Sequence, residues 1–568
     1  MIMEHHGNNT PSVVIRSIKF NNGTKVEFEN DDIVLLVGAN NVGKSRILKD
    51  LREDLNESSK PKVLVSEVEY KTTNFVSNTI KKYFERNISR DSSGNYNVLI
   101  DESNGYSFDE SSFGDVSNES FYYKVLFSFL STENRLNITR PIIFNSNVDN
   151  ASLNIIKKLE NDSESINMLN KVLDLGFKKG IDVSEDYLDN TIIKKYKISD
   201  SQDIKEIIGL NRRESLNELT KLEDLHTQGD GIRSAVAILA SLIVNEHSLF
   251  LIDEPETFLH PPQARALGKN IVELSRNKQC FISTHNIDFI RGVLEEDASR
   301  VKIIKIDRVA NDNEFNLVDN DSIVEIANDK NLKYTNILDG LFYSQLVLCE
   351  DESDCKFYSA ILEHLKLHIY QNTLFCAVGG KDQFKKVIPL LRELNIQYLV
   401  IADIDLINNK ENLKQLLNSV DPDSYKQIMH EHTRFLEKFE QEMNSQVKTQ
   451  ERIKFEIKNV FNGDKYMSPA AVEQIKSILK NVSSFKLLKH GGKKILPQGE
   501  CTALFNQIKK YLNEHKIFIL ECGEIERFVP EVNGHGNTWV ENTFTRYENI
   551  DDDVYEEARK FIKTVFNI

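Results

Sequence analysis

Gly38-Ala39-Asn40-Asn41-Val42-Gly43-Lys44-Ser45 is the stretch that decides how this chain is read. It has the form GxxxxGK[ST]. Ile33 to Val37, just before it, is a continuous apolar run, as in a strand buried on both faces. Just after it, Ile47, Leu48 and Leu51 fall on one face of a helix. Strand, glycine loop and helix together make a cradle in which backbone N–H groups and a helix N-terminus hold phosphates. Gly38, Asn41 and Gly43 then shape the loop, Lys44 reaches the β- and γ-phosphates, and the Ser45 hydroxyl holds Mg²⁺.

Outward from this centre, Val13 to Phe20 and Thr24 to Glu29 read as a hairpin about the turn Asn21-Asn22-Gly23. From about residue 58 to 225 the pattern weakens into mixed strands and helices with polar loops such as Asp91-Ser92-Ser93-Gly94-Asn95, and is read as an insertion. Strand-like runs resume at Leu249 to Ile252, Cys280 to Ser283 and Val301 to Ile306, spaced by helix-length sequence in a parallel α/β pattern. A second α/β series follows with Leu346 to Cys349, Leu374 to Val378, Tyr398 to Ala402 and Ile517 to Leu520, interrupted by a charged, helical stretch over about 408–510. The fold class is α/β in two parts, with domains expected at 1–57 plus 226–335, 58–225 and 340–568.

Each series ends its strands in chemistry. Leu249 to Ile252 runs into Asp253-Glu254, which suits Mg²⁺ coordination by Asp253 and water activation by Glu254. Phe281-Ile282-Ser283-Thr284-His285 places His285 past a further strand, within reach of a γ-phosphate. In this order the three elements resemble the ATPase head shared by ABC and SMC-like proteins. Glu254-Pro255-Glu256-Thr257-Phe258-Leu259-His260-Pro261 is similar to the EPExxLHP form of SMC-like and OLD-family ATPases. The resemblance implies ATP as ligand, and a signature loop that closes over a partner's nucleotide. That loop falls at Thr227-Gln228-Gly229-Asp230-Gly231-Ile232-Arg233-Ser234 and departs from the common LSGGQ.

In the second series, Glu350 follows a buried-type strand, Asp354 stands four residues on at a helix start, and Asp403-Ile404-Asp405 follows Tyr398 to Ala402. The period of two along a strand puts Asp403 and Asp405 on one side. Acids at the C-terminal ends of an open sheet share one crevice. Two carboxylates about 4 Å apart repel by roughly 4 kcal/mol at an effective dielectric of about 20, so such a group calls for a cation, Mg²⁺ or Mn²⁺. The pattern resembles a TOPRIM domain, a glutamate after the first strand and DxD after a later one. Gly379-Gly380-Lys381 resembles the glycine turn between those motifs, and Asp351 stands where the family usually has glycine. The late run Glu521-Cys522-Gly523-Glu524-Ile525-Glu526 is similar to the glycine-acid-x-Glu element of the OLD nuclease domain, so Glu524 or Glu526 is expected to complete a second metal site, or else to cap a helix. The family also uses a late lysine near the scissile phosphate, for which Lys560 is the candidate.

An ABC-type head with an insertion, followed by a TOPRIM domain, resembles the OLD (overcoming lysogenization defect) family of ATP-dependent endonucleases. That resemblance implies DNA cleavage by one or two divalent cations, dimerisation through head and insertion into an even homo-oligomer, and a role in anti-phage defence. It also implies a helicase or retron component encoded nearby in some members. The rival class is a nucleotide-gated DNA sensor or scaffold that does not cut.

Composition bounds these readings. Lys plus Arg total 71 against 87 Asp plus Glu, a net charge of −16, so nucleic acid must meet a local patch rather than the whole surface. Phe485 to Ile495, with Lys486, Lys489, Lys493 and Lys494 about Gly491-Gly492, is either that patch or a solvated loop. Lys381, Lys385 and Lys386 form a smaller cluster. The longest apolar run, Ala235 to Val244, is about half the roughly 20 residues a membrane span needs. The six cysteines form no CxxC pair, and MIMEHHGNNT lacks the basic-then-apolar order of a signal peptide. A cytoplasmic protein without structural disulfides is expected.

Overall fold

A computed structural model describes residues 10–57, 60–88, 93–99, 105–113, 119–145, 155–188, 191–210, 212–309, 312–318, 320–328, 336–443, 449–461, 467–479 and 483–568. The chain divides into two compact units, Met1–Lys333 and Tyr334–Ile568. No helix among the described residues is long and apolar enough to cross a membrane.

In the first unit, β1 (Ser12–Phe20) and β2 (Lys25–Glu27) pair antiparallel about the Asn21-Asn22-Gly23 turn, the hairpin expected there. β3 (Ile33–Val37) is buried at every position. α1 (Lys44–Leu55) follows, burying Ile47, Leu48, Leu51 and Leu55. β4 (Val65–Thr73) returns to pair with β1. Asp50 of α1 positions that return: its buried carboxylate accepts N–H bonds from Val63, Leu64 and Val65 at 2.9, 2.7 and 3.1 Å and pairs with Arg46 at 2.8 Å.

The elements that follow are β5 (Phe127–Leu130), α2 (Asp230–Val244), β6 (Leu249–Asp253), α3 (Pro261–Leu274), β7 (Gln279–Ser283), β8 (Val301–Val309) and β9 (Asp312–Leu317). The central sheet runs β9-β8-β3-β7-β6-β5, and β9 is its antiparallel strand. The parallel strands β3, β7 and β6 therefore open at one edge, where loops gather. The stretch 58–225 thus supplies β4 and β5 to the head's own sheets. Both are strands with alternating burial, so neither carries the continuous apolar signal of β3. The rest of that stretch includes the helix Ser163–Phe177 and the antiparallel strands Lys179–Leu188 and Thr191–Asp200. The loop reading at Asp91-Ser92 lies outside the described residues.

In the second unit, β10 (Gln345–Cys349), α4 (Glu352–Leu365), β11 (Thr373–Ala377) and β12 (Tyr398–Ala402) are followed by α5 (Tyr425–Met443), α6 (Ser484–Gly491), α7 (Glu500–Glu514), β13 (Ile517–Ile519) and α8 (Glu556–Phe566). Its sheet is all parallel in the order β11-β10-β12-β13. The winding direction reverses between β10 and β12, which opens a crevice at their C-terminal ends. Trp539, fully buried, joins Phe357 and Tyr555 in the core on one face, and its indole N–H donates to the Val529 carbonyl at 3.4 Å. On α5, Phe435 packs Phe505 of α7 and Phe439 packs Phe485 of α6.

Phe485 to Ile495 is not a loop. It is α6 followed by a 3-10 turn, capped by the Ser483 hydroxyl accepting from Lys486 N–H at 3.2 Å. Burial of Leu488 fixes its inward face. The C-terminal end of α6 lies so close to the loop after β13 that a Cβ at Gly523 would stand 2.1 Å from the Lys489 carbonyl oxygen. With φ of 115°, only glycine serves there.

Candidate functional site

The glycine loop in the first unit holds its lysine in readiness. Lys44 Nζ donates to the Gly38 and Ala39 carbonyls at 2.9 and 2.8 Å. Burial lowers its pKa, opposed by Glu254, Glu256 and Asp253. Gly38, at φ 146°, has no room for a side chain: a Cβ would stand 2.3 Å from the Ile306 carbonyl oxygen. Asn41 and Gly43 take φ of 65° and 101°, and Ser45 lies in the first turn of α1.

At the ends of β6 and β7, Ser283 Oγ donates to Asp253 Oδ1 at 2.5 Å, while Glu254 N–H donates to the Ser283 carbonyl and hydroxyl oxygens, each at 3.1 Å. His285 Nδ1 is 3.4 Å from Glu254 Oε1 and 3.6 Å from Glu256 Oε1. Glu256 is 3% exposed. It accepts from the Thr284 hydroxyl at 2.8 Å and from His285 N–H at 3.1 Å, and burial raises its pKa. Glu254 is thus joined to His285 directly and to Asp253 through Ser283, and the charges of these acids act on Lys44. In the signature-loop region, Gly231 packs so closely on Phe258 that a Cβ would lie 2.5 Å from its carbonyl oxygen.

Arg135 escaped the sequence reading. It is fully buried and donates to the carbonyls of Leu130, Asp253 and Glu254 at 2.8, 2.6 and 3.1 Å and to Ser234 Oγ at 2.7 Å. Burial lowers its pKa to about 10, against the pull of Asp253, Glu256 and Glu254. It braces the acidic turn against α2 from the short helix Thr132–Ile138. An arginine in a weakly patterned stretch carries no sequence signal for that role.

In the second unit, Glu350, Asp403 and Asp405 each offer an oxygen within 4.8 Å of the others. Glu350 follows β10 directly, and its carbonyl accepts N–H bonds from Gly379 and Gly380 at 3.1 and 3.0 Å. Its side chain accepts from Asp403 N–H at 3.3 Å. β12 ends at Ala402, so strand alternation does not bring the two aspartates together. A 3-10 turn over Ile404–Asn408 does so, with Ile404 N–H bonded to the Gly523 carbonyl at 3.0 Å.

Two ammonium groups sit in this cluster. Lys381 Nζ is 2.7 Å from Asp405 Oδ2, and Lys489 Nζ, from α6, is 3.2 Å from Asp403 Oδ2 and 3.4 Å from Asp405 Oδ2. Burial alone would lower the Lys489 pKa, but Asp403 and Asp405 outweigh it and raise it. Burial, then the charge of Asp405, pushes Glu350 up to about 7; Asp403 is raised well above its ordinary value by burial and by Glu350. With all three carboxylates ionised, the two lysines leave one negative charge in excess. Asp405 Oδ1 is buried without a hydrogen-bond partner. A crowded, all-oxygen set with an unsatisfied lone pair, already drawing cations from its own chain, fits a hard divalent ion.

The other candidates divide. Asp354, in the first turn of α4, accepts from Asp351 N–H at 3.1 Å, and burial pushes it up to about 6 with added repulsion from Asp351 and Glu526. Glu526 is engaged by His535 Nδ1 at 2.5 Å and by Gly536 N–H at 2.9 Å. Glu524 is 7% exposed and closed into pairs with His490 at 3.0 Å and Arg527 at 3.2 Å, a structural arrangement rather than an open ligand. Lys560 does not reach the acids: α8 turns Ala558, Ile562 and Val565 inward, leaving Lys560 69% exposed and paired with Glu556 at 2.5 Å. The amines at the carboxylates are Lys381 and Lys489 instead.

Comparison with known proteins agrees with this division. Residues 33–291 match the family described as "AAA domain, putative AbiEii toxin, Type IV TA system", and residues 341–405 match "Overcoming lysogenization defect protein-like, TOPRIM domain". Over 171 residues the chain is 24% identical to Old nuclease of Escherichia phage P2, covering 29% of this chain and 28% of that protein. Over 192 residues it is 26% identical to Endonuclease GajA of Bacillus cereus (strain VD045), covering 32% of each. The alignments thus span less than a third of either relative's length. An SMC head bound to the C-terminal winged-helix domain of ScpA has a TM-score of 0.33 at 12% identity, covering 54% of this chain and 98% of that one. The two domain matches therefore fall in order along the chain, an AAA-type ATPase domain in the first unit followed by an OLD-like TOPRIM domain in the second.

Proposed function

We propose that the protein is an ATP-hydrolysing, Mg²⁺- or Mn²⁺-dependent DNA endonuclease of the OLD type. The observation that carries this reading is the gathering of Glu350, Asp403 and Asp405 within 4.8 Å at the sheet's reversal crevice. Divalent ions held there by these three residues, with Asp354 and Glu526 alongside, would supply an activated water and a stabilised leaving oxygen. Lys381 and Lys489 then exchange their carboxylate partners for the phosphodiester's oxygens. In the head, Lys44 leaves the Gly38 and Ala39 carbonyls for the nucleotide's phosphates. Asp253 and Ser45 hold its Mg²⁺, Glu254 orients water, and His285 faces the γ-phosphate.

An even homo-oligomer formed through the head and residues 58–225, a cytoplasmic setting, a role in anti-phage defence, and a helicase or retron component encoded nearby complete the reading. These follow from the family likeness. Old nuclease and Endonuclease GajA, by their names, support the nuclease reading of the chain.

The test is conversion of supercoiled plasmid by the full chain with Mg²⁺ or Mn²⁺ across an ATP titration. Nicking or linearisation that disappears in Asp405→Ala is expected. Cleavage that survives the substitution, or none under any condition, removes the nuclease assignment, the latter in favour of a nucleotide-gated sensor.

A further inference from the structure

A cavity of about 380 Å³ lies in the second unit between α7, β13 and α8, and its lining includes none of Glu350, Asp403 and Asp405. Its walls combine two chemistries. Lys493, Lys494, Lys509 and Lys560 line it together with two acids, Glu521 and Glu557, and Lys560 pairs outside the lining with Glu556 at 2.5 Å. Glu521 already pairs with Lys493 at 2.7 Å and with Lys509. Four lysines against three acids leave the cavity one positive charge in excess on a chain whose net charge is −16. Between the lysines, Phe518, Phe528 and Phe561 present aromatic surface. With Ile519 these rings make much of its wall apolar, surface that a purely inorganic anion would leave unused.

We propose that this cavity binds a nucleoside monophosphate unit, with its base against the phenylalanines and its phosphate among the lysines. Aromatic faces stack on any base, and lysines meet a phosphate as point charges, so the pairing selects nucleotides as a class without selecting a sequence. Location adds a second argument. The loop after β13 lines the cavity with Glu521 and Cys522, and one residue later its Gly523 carbonyl receives the Ile404 N–H between the two cluster aspartates. Lys493 N–H binds the Glu521 carbonyl at 2.7 Å, joining the same loop to the helix that carries Lys489. A nucleotide seated here lies against the segment that shapes the carboxylate centre. The assignment rests on the nuclease reading and gives it a strand-anchoring subsite. The unit is either a free mononucleotide or the terminal nucleotide of a DNA strand.

The experiment uses the full chain in a Lys44→Ala background, which silences the glycine loop of the head. Binding of thymidine 5′-monophosphate is followed by calorimetry, and binding of a fluorescent 5′-phosphorylated single strand by anisotropy. Both are repeated in Lys494→Glu/Lys560→Glu, two exposed positions whose reversal leaves the core intact, and in Phe561→Ala. A loss of about tenfold or more in each variant, for either ligand, is expected. Loss for both ligands assigns the free nucleotide as well as the strand end; loss for the oligonucleotide alone assigns the strand end. Binding of neither ligand to the parent, or affinity unchanged in the variants, overturns the subsite. Plasmid cleavage measured in the same charge-reversal variant, with Lys44 restored, separates the two readings: cleavage that persists with unaltered affinity removes the subsite alone, whereas absence of cleavage in the wild type removes the nuclease reading.

Discussion

Replacing Lys489 by glutamine is expected to strengthen divalent-ion binding while slowing cleavage. Its ammonium lies 3.2 and 3.4 Å from Asp403 and Asp405 and competes with any ion for the same oxygens. At an effective dielectric of about 20 each contact amounts to about 5 kcal/mol, and in fully aqueous surroundings to about 1 kcal/mol. The Lys489 side chain is 32% exposed, so the aqueous figure is the safer one. Two contacts then total about 2 kcal/mol, or about thirtyfold in Mn²⁺ affinity. Titration of the nucleotide-free protein with Mn²⁺, read by electron paramagnetic resonance of the free ion, measures this directly. Plasmid cleavage at saturating Mn²⁺ should nevertheless fall, because the same amine is assigned to the phosphate once displaced. Unchanged or weaker Mn²⁺ binding in Lys489→Gln would refute the competition and make the lysine a structural counter-ion.

Further expectations concern both units. Arg135→Met strips hydrogen bonds from the buried carbonyl of Leu130 and the half-buried carbonyls of Asp253 and Glu254, at a cost of about 3 kcal/mol. Chemical denaturation should register that cost with loss of ATP turnover, whereas normal turnover would deny Arg135 its bracing role. Gly38→Ala drives a methyl into the Ile306 carbonyl and should abolish ATP binding in a filter assay; retained binding would contradict the packing of the loop. For pH, Glu350 keeps its proton to about 7 in the folded metal-free chain but to only about 4.3 when unfolded. Between these values the folded state binds more protons, so this contribution is full at low pH and is lost as pH rises through about 7. Thermal midpoints of the metal-free protein should therefore decline over that window by less in Glu350→Gln than in the wild type. Equal declines would remove the burial assigned to the carboxyl.

Elements with a local signature were legible in the sequence. β3 is uniformly apolar, the glycine loop follows it directly, and Glu350 and Asp403 stand at the ends of recognisable strands, so each could be placed without knowing its neighbours. Residues whose role is set by a distant partner were not legible. Lys489 follows Asp405 by 84 positions and reaches it because α6 docks on the loop after β13. The same lysines read as a solvated patch when the segment is taken as a loop. Glu524 and Lys560 had the right residue type in the right region. The His490 and Arg527 pairs of the first, and the outward register of α8 for the second, are tertiary facts that spacing does not encode. β4 and β5 went unrecognised as parts of the head because they alternate in burial rather than forming an apolar run.

Anomalous diffraction from crystals of the full chain grown with Mn²⁺ tests the carboxylate centre most directly. The account predicts a peak at bonding distance from oxygens of Glu350, Asp403 and Asp405, with the Lys489 amine withdrawn from both aspartates. A map in which saturating Mn²⁺ leaves both lysines seated on the aspartates, with no peak among the three carboxylates, would contradict it.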